Sequence, residues 1–247
     1  MPEEILKVRG VSRHFGGLKA VDDASFSVAR GDILGLIGPN GAGKTTLFNL
    51  LVGLYKPSQG DIQLEGESIA GWSPHRIASR GMTKTFQNVA LFPEMTVLEN
   101  VLVGGVMRLD VPSARELARQ NLARVGLSAI ENKLAGDLSF PEQARVELAR
   151  ALCTGPKVFL LDEVMAALNE TEMDEMLDLI RQLRDESAIT FIVVEHHMRA
   201  IMRLCNRILV LSFGKKIAEG TPAEIAANPI VIEAYLGKSL EHVEIPT

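Results

Sequence analysis

An α/β fold with a buried parallel sheet is the architecture this sequence predicts, on three observations. Residues 33–37, 157–161 and 189–194 are strand-length apolar runs, the pattern of strands covered on both faces. Each delivers polar residues just past its carboxyl end: a glycine-rich loop after Ile37, Asp162 and Glu163 after Leu161, and His196 within Glu195-His196-His197 after Val194. Helical patterns separate the runs, and in an open parallel sheet that carboxyl edge is where ligands bind.

The first third of the chain reads as β-rich, with strands at residues 5–9, 24–28, 33–37 and 61–64 and turn signals at 29–32 and 57–60. Between the first two strands, residues 14–18 read as a loop, where Phe15 is either a hydrophobic plug or a platform for a stacked base. A helix at 47–52 is closed by Gly53, a short helix follows at 73–80, and a strand at 82–86 ends at Gln87. Trp72 reads as a packing or surface residue. Thr96 with Glu99, and Ser113 with Glu116, have capping-box spacing, and Gly126 is placed to stop the second helix. Residues 88–136 therefore read as a small helical subdomain inserted in the α/β body.

Ser139 and Glu142 repeat the capping-box spacing and open a helix to about Cys153, with Pro141 tolerated in its first turn. Residues 169–184 are amphipathic, apolar at Met173, Met176, Leu177, Ile180 and Leu183. Their acids gather at the start and their arginines at the end, as the helix dipole favours. Residues 207–211 and 216–219 flank Phe213, Gly214 and Lys215 as a hairpin, and 222–236 are largely helical. Residues 237–247 show no pattern and are expected to be a loose tail on a single domain spanning 1–247.

The chemistry begins in the loop Gly38, Pro39, Asn40, Gly41, Ala42, Gly43, Lys44, Thr45 and Thr46. Glycines there let successive backbone N–H groups turn inward and form an anion nest at a helix N-terminus. A polyphosphate fits such a nest, with Lys44 reaching its β- and γ-phosphates and the Thr45 hydroxyl ligating magnesium. Asp162 is placed to hold the same ion through water. Glu163, one residue farther out, is placed to orient or deprotonate an attacking water, which turns a binding site into a hydrolase. His196 is placed to hydrogen-bond the γ-phosphate, and His197 reads as a bystander.

A net charge of −5 over 247 residues argues against a nucleic-acid partner. Cys153 and Cys205 lack metal-ligand spacing and read as buried, reduced thiols. The first residues lack the basic and apolar segments of a secretion signal. No apolar run approaches the ~20 residues of a spanning helix, so work at a membrane would require a partner.

Taken in order, these motifs resemble those of the ATP-binding-cassette (ABC) ATPases over almost the full chain. Gly38 to Thr46 matches the Walker A loop, Gln87 the Q-loop, residues 138–145 the signature region, 158–163 the Walker B strand, 166–169 the D-loop and His196 the switch histidine. The resemblance implies a P-loop NTPase ABC-type nucleotide-binding domain with an N-terminal antiparallel β part and the inserted helical subdomain. It further implies that ATP and Mg2+ are the cofactors, that Lys44, Gln87, Glu163 and His196 serve catalysis, and that Thr45, Gln87 and Asp162 hold the metal. Phe15 matches the aromatic that stacks on adenine, and Ser139 belongs to the signature that meets the ATP of an opposing cassette. The expected partners are a second cassette, identical or related, transmembrane permease subunits docked on the inserted helices, and indirectly a solute-binding protein. The expected location is the cytoplasmic face of the membrane.

Finer strings resemble the subunits of branched-chain amino-acid importers: Phe15-Gly16-Gly17-Leu18, Thr85-Phe86-Gln87, residues 91–97 with Glu99-Asn100, and Ala234-Tyr235-Leu236-Gly237. Lipopolysaccharide-export ATPases share the general plan, and an ATP-clamped regulatory module is the reading of a different class. A soluble repair or translation ABC protein would carry a coiled-coil insertion or tandem cassettes, and this chain has neither. The sequence departs from the family at the signature, where Ser139-Phe140-Pro141-Glu142 replaces Ser-Gly-Gly-Gln. Pro141 has no N–H to offer a phosphate, and Glu142 adds an acid there. Val164, Asn169 and His197 also differ from the usual proline, aspartate and aspartate.

Overall fold

The computed structural model describes residues 3–85 and 90–236. Strands β1 (Glu4–Phe15) and β2 (Leu18–Ala29) form a long hairpin, and β3 (Ile33–Ile37) leads through the glycine loop into helix α1 (Lys44–Leu51). Next come β4 (Gln59–Leu64), β5 (Glu67–Ser68), α2 (Pro74–Arg80) and β6 (Met82–Lys84). Helices α3 (Val97–Gly105), α4 (Val111–Arg124) and α5 (Phe140–Leu152) precede β7 (Val158–Asp162), α6 (Glu170–Ser187), β8 (Thr190–Val194) and α7 (Met198–Leu204). The hairpin β9 (Arg207–Ser212) and β10 (Lys215–Gly220) and the helices α8 (Pro222–Ala226) and α9 (Pro229–Leu236) complete the described chain.

The strands make two sheets. An antiparallel one has the order β2-β1-β4-β5, and a six-stranded one has the order β10-β9-β3-β8-β7-β6. In the second, β9, β3, β8, β7 and β6 run parallel, and only the edge strand β10 is antiparallel. Successive residues of its central strands face two cores. Ile33, Ile37, Phe159, Leu161, Phe191 and Val193 face the one built with α3 to α7. Leu34, Leu36, Val158, Leu160, Ile192 and Val194 face the one built with α1 and the antiparallel sheet. Burial on both faces is why these runs carry no alternation.

Several boundaries differ from the sequence expectation for identifiable reasons. The expected 14–18 loop is a tight turn at Gly16 and Gly17, because β1 continues to Phe15 and β2 begins at Leu18. Register shifts around Gly10, which has φ 58°, bend β1 and break the pattern that would have revealed its length. Helix α4 is capped by Asp110, whose side chain accepts from the Ser113 amide at 2.9 Å; Ser113 is not its cap. The expected 222–236 helix divides near Asn228, whose side chain accepts from the Ile230 amide at 3.0 Å. Thr96 with Glu99 does form its capping box, and the α6 methionines are core. Trp72 packs against the second core with the Arg76 guanidinium 3.4 Å above its ring. Among the described residues no helix is long and apolar enough to cross a membrane.

The helices between β6 and β7 share the first core with the sheet through Val97, Leu98, Val101, Ala118 and Leu122. α3 meets α5 backbone to backbone, since a Cβ at Gly104 would lie 2.0 Å from the Arg150 carbonyl oxygen. Gly104→Ala is expected to destabilise the chain by about 1–3 kcal/mol through overpacking, despite alanine's better helix propensity of ~1 kcal/mol. Urea unfolding checks this, and unchanged or raised stability would mean that α3 can lift off α5 freely.

Candidate active site

The phosphate loop leaves β3 at the centre of the parallel sheet. Gly38 has φ 154°, and a Cβ there would meet the Leu211 carbonyl oxygen at 2.2 Å, so only glycine fits against β9. Gly43, at the start of α1, has φ 103°, and a Cβ there would lie 2.4 Å from the Ala20 carbonyl oxygen. The Gly214 amide donates to the Ala42 carbonyl at 3.0 Å, which ties the β9–β10 turn to the loop. Lys44 is buried, and its ammonium donates to the Gly38 and Pro39 carbonyls at 2.7 and 3.2 Å. Burial lowers its pKa, against the opposing pull of Glu163 and Asp162.

A cavity of about 400 Å³ opens above this loop. Asn40, Gly41, Ala42, Gly43, Lys44, Thr45 and Thr46 line it, together with Glu163 and His196, which arrive from β7 and β8. Gly38 and Pro39 support the loop from outside that lining, and Pro39 faces a neighbouring groove beside α9. The geometry thus brings the phosphate loop, the strand-end acid and the histidine to one place. His196 Nε2 lies 2.8 Å from Glu163 Oε1. Against an ionised Glu163, Nε2 must carry the proton, which fixes the tautomer and aims both groups.

Asp162 sits just inside, buried at 3 % exposure. Its Oδ2 is 3.3 Å from Lys84 Nζ, and its amide donates to Thr85 Oγ1 at 3.0 Å. Burial raises the Asp162 pKa while Lys84 pulls it down. Lys84 also donates to Asn49 Oδ1 at 3.3 Å, linking β6, α1 and β7. A hydroxyl at Thr45 and a carboxylate at Asp162 are hard oxygen donors, the set that suits magnesium with phosphate and water filling the rest of its shell. Among the described residues no cluster of three or more acids, histidines or cysteines suggests another metal.

Two expected site residues lie elsewhere. Phe15 is outside the cavity lining; its ring packs edge-on against Tyr55 with centroids 5.3 Å apart, under the Arg13 guanidinium at 4.6 Å. Ser139 caps α5 and does not line this cavity. Its N–H and hydroxyl both donate to Glu142 Oε2, at 2.7 and 3.0 Å, and Lys133 pairs with that carboxylate at 3.2 Å. The Ser139 amide foremost holds the Glu142 pKa below its usual range. Gln87 lies outside the described residues.

Sequence reasoning missed five contributors. Leu18 and Lys19 form one cavity wall, and Phe213, with φ 46° and 89 % exposure, stands at its mouth. Lys84 ends a strand at the same sheet edge, which was the available signal for it. Glu195 follows Val194 and is 3 % exposed; burial pushes its pKa up to about 7.

Comparison with known proteins agrees with this geometry. The ABC transporter family matches residues 21–166, and the family described as branched-chain amino acid ATP-binding cassette transporter matches 215–240. BraF of Pseudomonas aeruginosa, a high-affinity branched-chain amino acid transport ATP-binding protein, is 41% identical across 97% of this chain and 100% of its own length. LivG of Escherichia coli K12, described in the same words, is 40% identical over the same shares. A nucleotide-free ATP-binding cassette from an ABC transporter superposes with a TM-score of 0.88 at 31% identity, covering 95% of this chain and 100% of that one. A bacterial ABC transporter cassette solved as a dimer gives 0.79 at 25% identity, covering 88% and 98%. With a phosphate loop, a strand-end glutamate and a histidine converging on one cavity, this chain belongs to the ABC transporter family as one of its ATP-binding cassettes.

Proposed function

We propose that this chain is the ATP-hydrolysing subunit of an importer for branched-chain or related amino acids. The observation that carries the hydrolase reading is the 2.8 Å contact between His196 and Glu163 at the mouth of the phosphate loop. The solute reading is supported by the family match at 215–240 and by relatives aligned over 97% of the chain. In this reading the chain works at the cytoplasmic face as one of two cassettes, each identical or related to the other. They sit beneath transmembrane permease subunits that a solute-binding protein supplies. Residues 88–136 are the inserted subdomain that docks on the permease.

Amides of residues 40–46 hold the phosphates, and the Lys44 ammonium moves from its own loop carbonyls to the β- and γ-oxygens. Thr45, Asp162 and Gln87 would hold magnesium, which supplies charge neutralisation on the phosphates when bound. Glu163 orients a water and accepts its proton, while His196 holds that carboxylate in place and senses the γ-phosphate. Phe15 stacks on the adenine. Ser139 and the α5 N-terminus of one cassette meet the γ-phosphate bound by the other.

Glu163→Gln is expected to retain ATP binding while steady-state hydrolysis falls at least about a hundredfold, since the water loses its base. Unchanged turnover would remove Glu163 from that role. The signature is weakened in two ways: Pro141 has no amide, and Glu142 already occupies the Ser139 donors. Pro141→Gly, made in the Glu163→Gln background, is expected to tighten ATP-dependent dimerisation about fivefold, the equivalent of one hydrogen bond at about 1 kcal/mol. Sedimentation velocity across a concentration series reads this, and an unchanged dimer constant would show that the missing amide is not limiting.

A further inference from the structure

Behind the cavity, the exits of β7 and β8 are stitched together by an uncommon device. The two strands pair in parallel register up to Asp162 and Val194, and the last ladder bond runs from the Glu163 amide to the Val194 carbonyl at 2.9 Å. In a parallel ladder alternate amides face the same neighbour, so the Met165 amide is next in line to bond β8. Backbone cannot supply its acceptor, because Glu163 takes φ 55° and turns the chain away. The side chain of Glu195 substitutes, its Oε1 accepting from the Met165 amide at 2.8 Å. Glu195 is buried at 3 % exposure, and its Oε2 has no hydrogen-bond partner among the described residues.

A left-handed conformation at a non-glycine residue is unfavourable and persists only where its surroundings hold it. Here two bonds bracket the turn, one at Glu163 and one at Met165, and the second depends on a single side chain. We propose that Glu195 is a positioning residue for hydrolysis: by holding the Met165 amide it keeps Glu163 in the left-handed turn that presents its carboxylate to His196. The inference rests on the reading of Glu163 as the base. Glu195 does not itself line the cavity, and its carboxylate also faces the backbone amide of the adjacent His196, so it acts on the reaction through the Glu163–His196 contact. Protonated or ionised, its Oε1 remains an acceptor, so the role needs the oxygen and not the charge.

The test compares Glu195→Gln, which keeps a carbonyl oxygen, with Glu195→Met, which fills similar volume without an acceptor. Both are made alone and in the Glu163→Gln background. Single-turnover hydrolysis, ATP affinity and thermal unfolding are measured on the full chain. Glu195→Gln is expected to stay within about threefold of wild-type turnover. Glu195→Met is expected to lose about tenfold or more, with ATP affinity changed less than twofold. In the Glu163→Gln background Glu195→Met should add no further loss, because residues acting through one another are non-additive. Full turnover in Glu195→Met, equal losses in both variants, a loss confined to ATP affinity, or a multiplicative loss in the double variant would each overturn the proposal. If Glu195→Met fails to fold, a tenfold loss in folded Glu195→Gln overturns it, and retained turnover in that variant supports it. Wild-type turnover in Glu163→Gln alone would overturn the reading of the base; a loss there with full turnover in Glu195→Met would overturn the positioning role only.

Discussion

Parallel pairing of β3, β8 and β7 in one fixed register is the constraint on which the rest of the site depends. Ile33 pairs with Phe191, and Asp162 with Val194. A one-residue slip would exchange the two faces of a strand, and both faces are occupied. Phe159 and Phe191 stack at 5.7 Å on one side while Val158, Leu160 and Ile192 fill the other. The apolar side chains therefore decide where the polar ones emerge. Glu163 and His196 come out next to the loop that follows Ile37, with no interaction among the polar groups needed to gather them.

Once gathered, those groups are out of balance with their surroundings. Burial raises the pKa of Asp162 and Glu195 and lowers that of Lys44, so each buried group is pushed toward its neutral form. Lys84 offsets part of this from beneath Asp162. A polyphosphate would add negative charge to a place already rich in carboxyls, which is the electrostatic reason that a divalent cation belongs with it.

Much of this was legible in the chain because it is written in local patterns. The apolar runs, the glycine loop, and the boxes at Thr96 and Ser139 each span a few residues. What escaped is non-local or conformational. Lys84 and Asp162 are 78 residues apart and meet only because β6 lies beside β7. Glu195 was visible as a residue, but its partner is an amide in a turn whose positive φ falls on Glu163, a residue type that does not announce one. The start of α4 was misplaced: the Ser113 and Glu116 spacing pointed to a cap at Ser113, whereas Asp110 caps the helix one turn earlier and that extra turn buries Ala114. The signature departure reads differently with the fold in hand: Glu142 is engaged with Ser139 and Lys133, and Asn169 is the cap of α6, accepting from Glu172 at 3.0 Å.

The bare contact at Gly104 has a mechanical meaning. With no side chain between α3 and the Arg150 carbonyl, the two helices have no soft layer in which to slide. Lys133 adds a second tie, its carbonyl accepting from the Val97 amide at 2.9 Å while its ammonium holds Glu142 at the other end. Force applied to α3, beside the exposed Phe92, would reach Ser139 as the swing of one stiff lever, without loss to internal slippage.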